Sequence, residues 1–255
     1  MKKHTGIGVV IFLLAFSALA DTLELTLEQT SIKLPYWVAK KPHYGAVILV
    51  RGGEHPKWSR LLAHFAKQLS QYGWSTVLLN CKEANNIPWI TQLPSAISEL
   101  RQANNKRIIM MHYGDQLNQS LEYFNKPQAK MINGLIMLSA YDDQKLDSGL
   151  RTFRFPLFDI GGQFDYGRVH QQMKDRSKKF RRPNYLAVEM PGAGHDYQYS
   201  QKLLLAYVHG WMTKLPEIKP QPAPIVSSYI EPVVFFVSSI ASIDGFHTTS
   251  LLTRK

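Results

Sequence analysis

A series of short, continuous apolar runs, separated by stretches with helical spacing, places the strongest limit on how this chain can fold. GAVILV (45–50), STVLLN (75–80), RIIMM (107–111) and GLIMLSA (134–140) come first, and FPLFDIGG (155–162) and YLAVEM (185–190) follow. A run of this kind and length reads as a strand buried on both faces. Between the runs, Trp58, Leu61, Leu62, Phe65 and Leu69 line one side of a helix that Gly73 stops. Ile90, Leu93, Ile97 and Leu100 mark a helix over 90–103, another is expected over 116–125, and Leu203, Leu204, Tyr207, Val208, Trp211 and Met212 stripe a last one over 200–214. Parallel neighbours need crossover connections, so alternation from 45 to 214 predicts an α/β fold: a doubly wound, mostly parallel sheet with helices on both faces. Residues 22–39 alternate instead, with Leu23, Leu25 and Leu27 at period two, and predict antiparallel strands at the N-terminal edge.

The two ends differ from this middle. Lys2, Lys3 and His4 precede an apolar run, Ile7 to Phe16, and Ser17-Ala18-Leu19-Ala20 closes it with small residues. That is the pattern of a secretory signal peptide cleaved after Ala20, which implies a periplasmic or secreted protein. The alternative is an uncleaved membrane anchor, for which the run is short. PEIKPQPAP (216–224) is a proline-rich spacer, and the apolar segment 225–243 beyond it is interrupted by Glu231-Pro232. The expected organisation is a signal peptide at 1–20, a domain at 21–215, and a spacer with an apolar tail at 216–255. That tail reads as a packed arm, a disordered end or an interfacial membrane contact.

The formal net charge is +11, or +9 once Lys2 and Lys3 are removed. In an envelope compartment this favours an anionic partner such as lipid headgroups or acidic glycans, over nucleic acid. RVHQQMKDRSKKFRRPN (168–184) concentrates the charge, and Arg176, Lys178, Lys179, Arg181 and Arg182 are its candidate anion-binding residues. Its alternative is a solvated helix face. With Phe180 as its lone aromatic residue, it is a poor base-stacking surface. Cys81 is the one cysteine, so no internal disulfide forms and the core stands without staples. No cofactor or metal site is expected. Oligomeric state and the identity of a small-molecule ligand are not legible.

In an open α/β sheet, ligands lie at the carboxyl ends of the strands. Three loops there carry chemistry. MPGAGHDYQYS (190–200) presents His195, suited to a general base. DIGGQFD (159–165) presents Asp165, which can fix an imidazole by accepting its second N–H; Asp159, inside the strand, is the weaker candidate. VRGGEHPKW (50–58) offers Gly52 and Gly53, whose backbone N–H groups can face an oxyanion. Each has a structural alternative: a surface histidine, a helix N-cap and a plain turn.

The order of these loops resembles the α/β-hydrolase fold over residues 22–214. Arg51-Gly52-Gly53 stands where that fold has an oxyanion loop, and MHYGD (111–115) stands where it has the Gly-x-Ser-x-Gly nucleophile elbow. More narrowly, GAVILVRGGEHPKW, QYGWSTVLLN, RIIMMHYGDQ and HGWM (209–212) resemble the bacterial family named domain of unknown function 3530. The resemblance implies catalytic places at Tyr113, Asp165 and His195, with oxyanion-type backbone at Gly52, Gly53 and Gly114.

The elbow departs from that pattern. Tyr113 takes the serine place, and Met111 and Asp115 take the flanking glycines. Asp115 and Ser120 fall too far along to substitute. The expected function is therefore an exported, hydrolase-like protein without serine acyl-transfer activity that acts by binding. The alternative is an esterase or peptidase-like enzyme using His195, Asp165 and a nucleophile that the motif does not reveal.

Overall fold

The computed structural model describes residues 21–27, 30–53, 56–79, 87–144, 153–180 and 183–217, with the backbone alone at 56–59. Cys81, Arg181, Arg182, the segment 1–20 and the chain from 218 onward lie outside the described residues. Every described residue belongs to the first of two compact units, which ends at Pro220.

The strands are β1 (Asp21–Leu27), β2 (Thr30–Trp37), β3 (Gly45–Gly52), β4 (Trp74–Leu79), β5 (Ile108–Gly114), β6 (Gly134–Leu138), β7 (Leu157–Phe164) and β8 (Tyr185–Gly194). They form one sheet in the order β1-β2-β4-β3-β5-β6-β7-β8. β1 and β2 pair antiparallel to each other, and β2 pairs antiparallel to β4. The remaining pairs are parallel. This is the doubly wound sheet that the apolar runs predict, with the alternating segment at its N-terminal edge.

The helices are α1 (Pro56–Gln71), α2 (Trp89–Gln102), α3 (Leu117–Asn125), α4 (Gly167–Lys179) and α5 (Gln201–Met212). Side chains alternate across a strand, so each central strand feeds two cores. Ile48, Ile108 and Met110 join Leu93, Ile97 and Leu121 under α2 and α3. Val47, Leu49, Ile109 and Met111 join Phe65, Leu204 and Val208 under α1 and α5. The HGWM segment closes the second core. A side chain on Gly134 would lie 2.6 Å from the Trp211 ring, so the missing Cβ makes room for the indole. His209 Nδ1 accepts from Trp74 Nε1 at 3.0 Å, tying α5 to β4.

Two boundaries move from their expected places. β5 does not stop at Met111 but runs on to Gly114, because β3 and β6 pair it on both sides through His112 and Tyr113. The basic helix ends at Lys179, where Phe180 turns to an extended backbone and its ring packs at 5.6 Å from Phe153 and 5.8 Å from Tyr185. Burying that ring stabilises the exit more than another exposed helical turn would.

α4 is held to β7 by a buried ion pair. Arg176 Nε and Nη2 donate to the two oxygens of Asp159 at 2.6 and 2.9 Å, and Nη2 also donates to the Ala140 carbonyl at 3.1 Å. The Tyr185 hydroxyl donates to Asp159 at 2.6 Å. Both charges are out of water, so removing one strands the other. Arg176→Met is expected to cost roughly 3–5 kcal/mol of unfolding free energy. Urea denaturation of the variant beside the parent checks this, and a loss below about 1 kcal/mol contradicts it.

Candidate functional site

β5 delivers the elbow segment to the carboxyl edge of the sheet. Its turn is made by Gly114, with φ of 82°, and by Gln116, with φ of 62°, before α3 begins. The left-handed apex thus falls on Gly114, one residue later than the motif places the nucleophile. Gly114 brings no side chain to that strained place. Tyr113 remains a strand residue, fully buried. Its hydroxyl donates to the His195 carbonyl at 2.9 Å, and its ring stacks near-parallel to the imidazole with centroids 5.4 Å apart. Burial pushes the phenol far above its ordinary pKa, so Tyr113 stays a protonated donor and not a phenolate nucleophile. Asp115 accepts from the Gln116 N–H at 2.7 Å, next to the start of α3.

The structure brings Asp165 and His195 together. Nδ1–H of His195 donates to Asp165 Oδ1 at 2.7 Å, with the imidazole 7% exposed and the carboxylate wholly buried. Asp165 Oδ1 also accepts from the Tyr166 N–H at 2.8 Å; Oδ2 accepts from the Ser139 hydroxyl and from the Gly162 N–H at 3.2 Å. Burial alone would raise the carboxyl pKa, but the bonds from His195 and Ser139 outweigh it and hold the group below its ordinary value. Ser139 Oγ also meets the Tyr197 hydroxyl at 2.7 Å. Tyr166 stacks on the imidazole at 4.2 Å, and Tyr141 lies 6.2 Å from it. Arg168 sits over Tyr141 at 5.1 Å and pairs with Asp143 at 2.8 Å.

Sequence reading names Tyr113, Asp165 and His195 but misses Ser139, Tyr166 and Tyr197. Ser139 and Tyr197 have φ of 44° and 49°, conformations that cost about 1–3 kcal/mol each for a residue with a side chain. Nothing in the local sequence signals those angles. Tyr166, directly after Asp165, is the one that proximity makes findable.

The glycine loop lies beside the elbow. Gly52 is opposite Gly114 in the β3–β5 register, and a Cβ on it would fall 1.5 Å from the Asp115 carbonyl oxygen. Gly52 therefore permits a close approach between two backbones. Gly53 follows with φ of 68°.

One of the expected anion-binding residues lies inside the fold. Arg176 is a correction: it is 1% exposed and is consumed by Asp159 inside the fold, because its place on α4 faces β7. Lys178 is exposed and lies 3.8 Å from Asp175, and Lys179 is half-buried. Arg181 and Arg182 fall outside the described residues. Asp159, the weaker acid candidate, is the structural partner. Among the described residues, no group of three His, Cys, Asp or Glu side chains is placed to hold a metal ion, and no helix is long and apolar enough to cross a membrane.

No family model matches the chain, and no curated protein matches it. Solved structures do. A dienelactone hydrolase from Anabaena variabilis superimposes with a TM-score of 0.62 at 14% identity, covering 77% of this chain and 97% of its own. The chain has the α/β-hydrolase fold. A serine hydrolase without a lid from Xanthomonas campestris gives 0.59 at 15% identity, covering 80% of this chain and 99% of its own. Est1E from Butyrivibrio proteoclasticus gives 0.56 at 14%, covering 75% and 97%. At such identities the likeness establishes fold alone.

On the other face of β5, His112 is fully buried and braces the elbow from below. Nε2–H donates to the Asp115 carbonyl at 2.6 Å, so Nδ1 is the acceptor for the Ser120 hydroxyl at 2.8 Å. Burial lowers the pKa of this imidazole to about 4, below the ordinary 6.5. Its unfolded form binds a proton first as the pH falls, so the stability it contributes is complete above pH 6.5 and is lost on going down to about 4. The loss is expected to reach roughly 3 kcal/mol. Urea midpoints across that range test it: His112→Gln should lack this share of the acid destabilisation, and equal pH slopes in both proteins contradict the assignment.

Proposed function

We propose that this is an exported α/β-hydrolase-fold protein that lacks serine acyl-transfer activity and works by binding in the cell envelope. Membership of the domain of unknown function 3530 family is part of this reading. The observation that carries it is the elbow: the apex residue is Gly114, and the Tyr113 hydroxyl is spent on the His195 carbonyl. Export rests on the pattern of residues 1–20 and places the protein in the periplasm or outside the cell. The net charge of +11 favours an anionic envelope component among its partners, reached through exposed cations such as Lys174 and Lys178 on α4.

The intact Asp165–His195 pair supports a second reading, a hydrolase in which His195 acts on a hydroxyl or water as general base. Fluorophosphonate labelling separates the two. The folded protein is expected to show no adduct by intact mass. A single adduct that disappears in His195→Ala overturns the binding reading, and its position names the nucleophile. Hydrolysis of p-nitrophenyl acetate above background that depends on His195, without an adduct, favours water activation.

A further inference from the structure

At the edge of the sheet opposite His195, where the parallel strands β6 and β7 begin, the chain forms a pocket of about 240 Å³. Its floor is aromatic. Phe124 of α3 meets Phe155 edge to face at 5.3 Å, and Phe153 lies 5.6 Å from Phe155. Phe124, Phe153 and Phe155 are only 8%, 5% and 6% exposed, so the rings are sunk below the surface. The rim is cationic. Lys126 and Lys130 follow α3, Arg154 stands between the other two phenylalanines, and all three are exposed. Among the described residues, no carboxylate side chain lines the pocket, and none of the three cations has an ion-pair partner. The turn that carries the lysines is fixed. The Ala129 N–H donates to the Lys126 carbonyl at 3.1 Å, and the Lys130 N–H donates to the Tyr123 hydroxyl at 3.4 Å. Lysines that follow a helix complement its negative end. Arg154 arrives on the approach to β7, so that effect does not account for three like charges around one hollow. Their mutual repulsion is relieved by an anion.

We propose that this pocket binds a small amphiphilic anion, an acidic head on a short apolar chain or ring. The head lies among Lys126, Lys130 and Arg154, and the apolar part lies against Phe124, Phe153 and Phe155. Size and charge together set the class. The volume is below the roughly 300–1,000 Å³ of pockets for drug-sized ligands, so it admits one short chain or ring. An inorganic anion would leave the aromatic floor in water, and a neutral apolar molecule would leave the cations unused. A bilayer surface fits less well. Rings that insert into lipid project from the surface, whereas these are recessed beneath their cations. The inference rests on the reading of the protein as a binder of anionic partners, and it gives that reading a site apart from the elbow.

Carbon-13 NMR of the protein labelled at its methionine methyls tests the proposal, with octanoate as the probe. Met131 lines the pocket and is 49% exposed, and Met131→Leu assigns its signal. Octanoate is expected to shift the Met131 methyl and to leave Met110 and Met111, wholly buried in β5, where they are. Octanamide has the chain without the charge, and acetate has the charge without the chain; each should bind at least about tenfold more weakly. The double variant Lys130→Gln, Arg154→Gln should weaken octanoate on the order of tenfold. Its urea midpoint should stay unchanged, because both side chains are exposed. Ala129→Phe fills the pocket from its rim and should abolish the shift; if that variant does not fold, the double variant decides. An unmoved Met131 methyl up to the concentration at which octanoate forms micelles overturns the proposal. Equal binding of octanamide, or full affinity in the folded double variant, overturns the acidic head, and equal binding of acetate overturns the aromatic floor. A Met131 shift caused by phosphatidylglycerol vesicles and not by octanoate makes a membrane the occupant and overturns the proposal as well. Failure of the binding reading itself shows separately, as a fluorophosphonate adduct on protein whose Met131 still responds to octanoate.

Discussion

Burial of β5 on both faces is the constraint from which the rest follows. All seven of its residues are buried, His112 and Tyr113 among them. A buried polar group must find a partner inside the protein. His112 finds the Asp115 carbonyl and Ser120 on one side of the sheet, and Tyr113 finds the His195 carbonyl on the other. One strand therefore ties the elbow turn, α3 and the histidine loop to a single frame. The loops at the sheet edge are placed by the satisfaction of these groups as much as by apolar contact.

That frame sets an Asp–His pair beside an elbow segment whose motif place is taken by Tyr113. The pair is built from residues at the ends of β7 and β8, with Ser139 from the end of β6. Ser139, Gly162 and the Tyr166 N–H satisfy Asp165, and Asp165 orients His195. Tyr113 occupies the neighbouring space and adds a hydrogen bond to the histidine backbone. The Tyr166 and Tyr141 rings flank the imidazole at this edge of the sheet.

The charge of the molecule is spent unevenly. In α4, Arg176 turns inward to neutralise Asp159, where desolvation makes an unpaired carboxylate costly. Its neighbours Lys174 and Lys178 stay in water. A count of basic residues on a helix thus overstates the surface field, because helical spacing sends some of them to the core.

Read alone, the residues determine much of the architecture. Continuous apolar runs and amphipathic stripes encode strand and helix locally, through periods that depend only on the next few residues, and the strand–helix alternation carries the parallel topology. Asp165 and His195 are legible because each lies at a strand end in a glycine-relaxed loop. The place of the turn at Gly114 was decided by ladder pairing of β5 with β3 and β6, which extends the strand past Met111. The inward turn of Arg176 depends on Asp159, seventeen residues away along the chain. Ser139 and Tyr197 join the site only through contacts across separate loops, with backbone angles that no local pattern announces. Periodicity is a property of neighbours in sequence. Strain, pairing of buried charge and the choice of a tautomer are properties of neighbours in space, and only the tertiary structure supplies those.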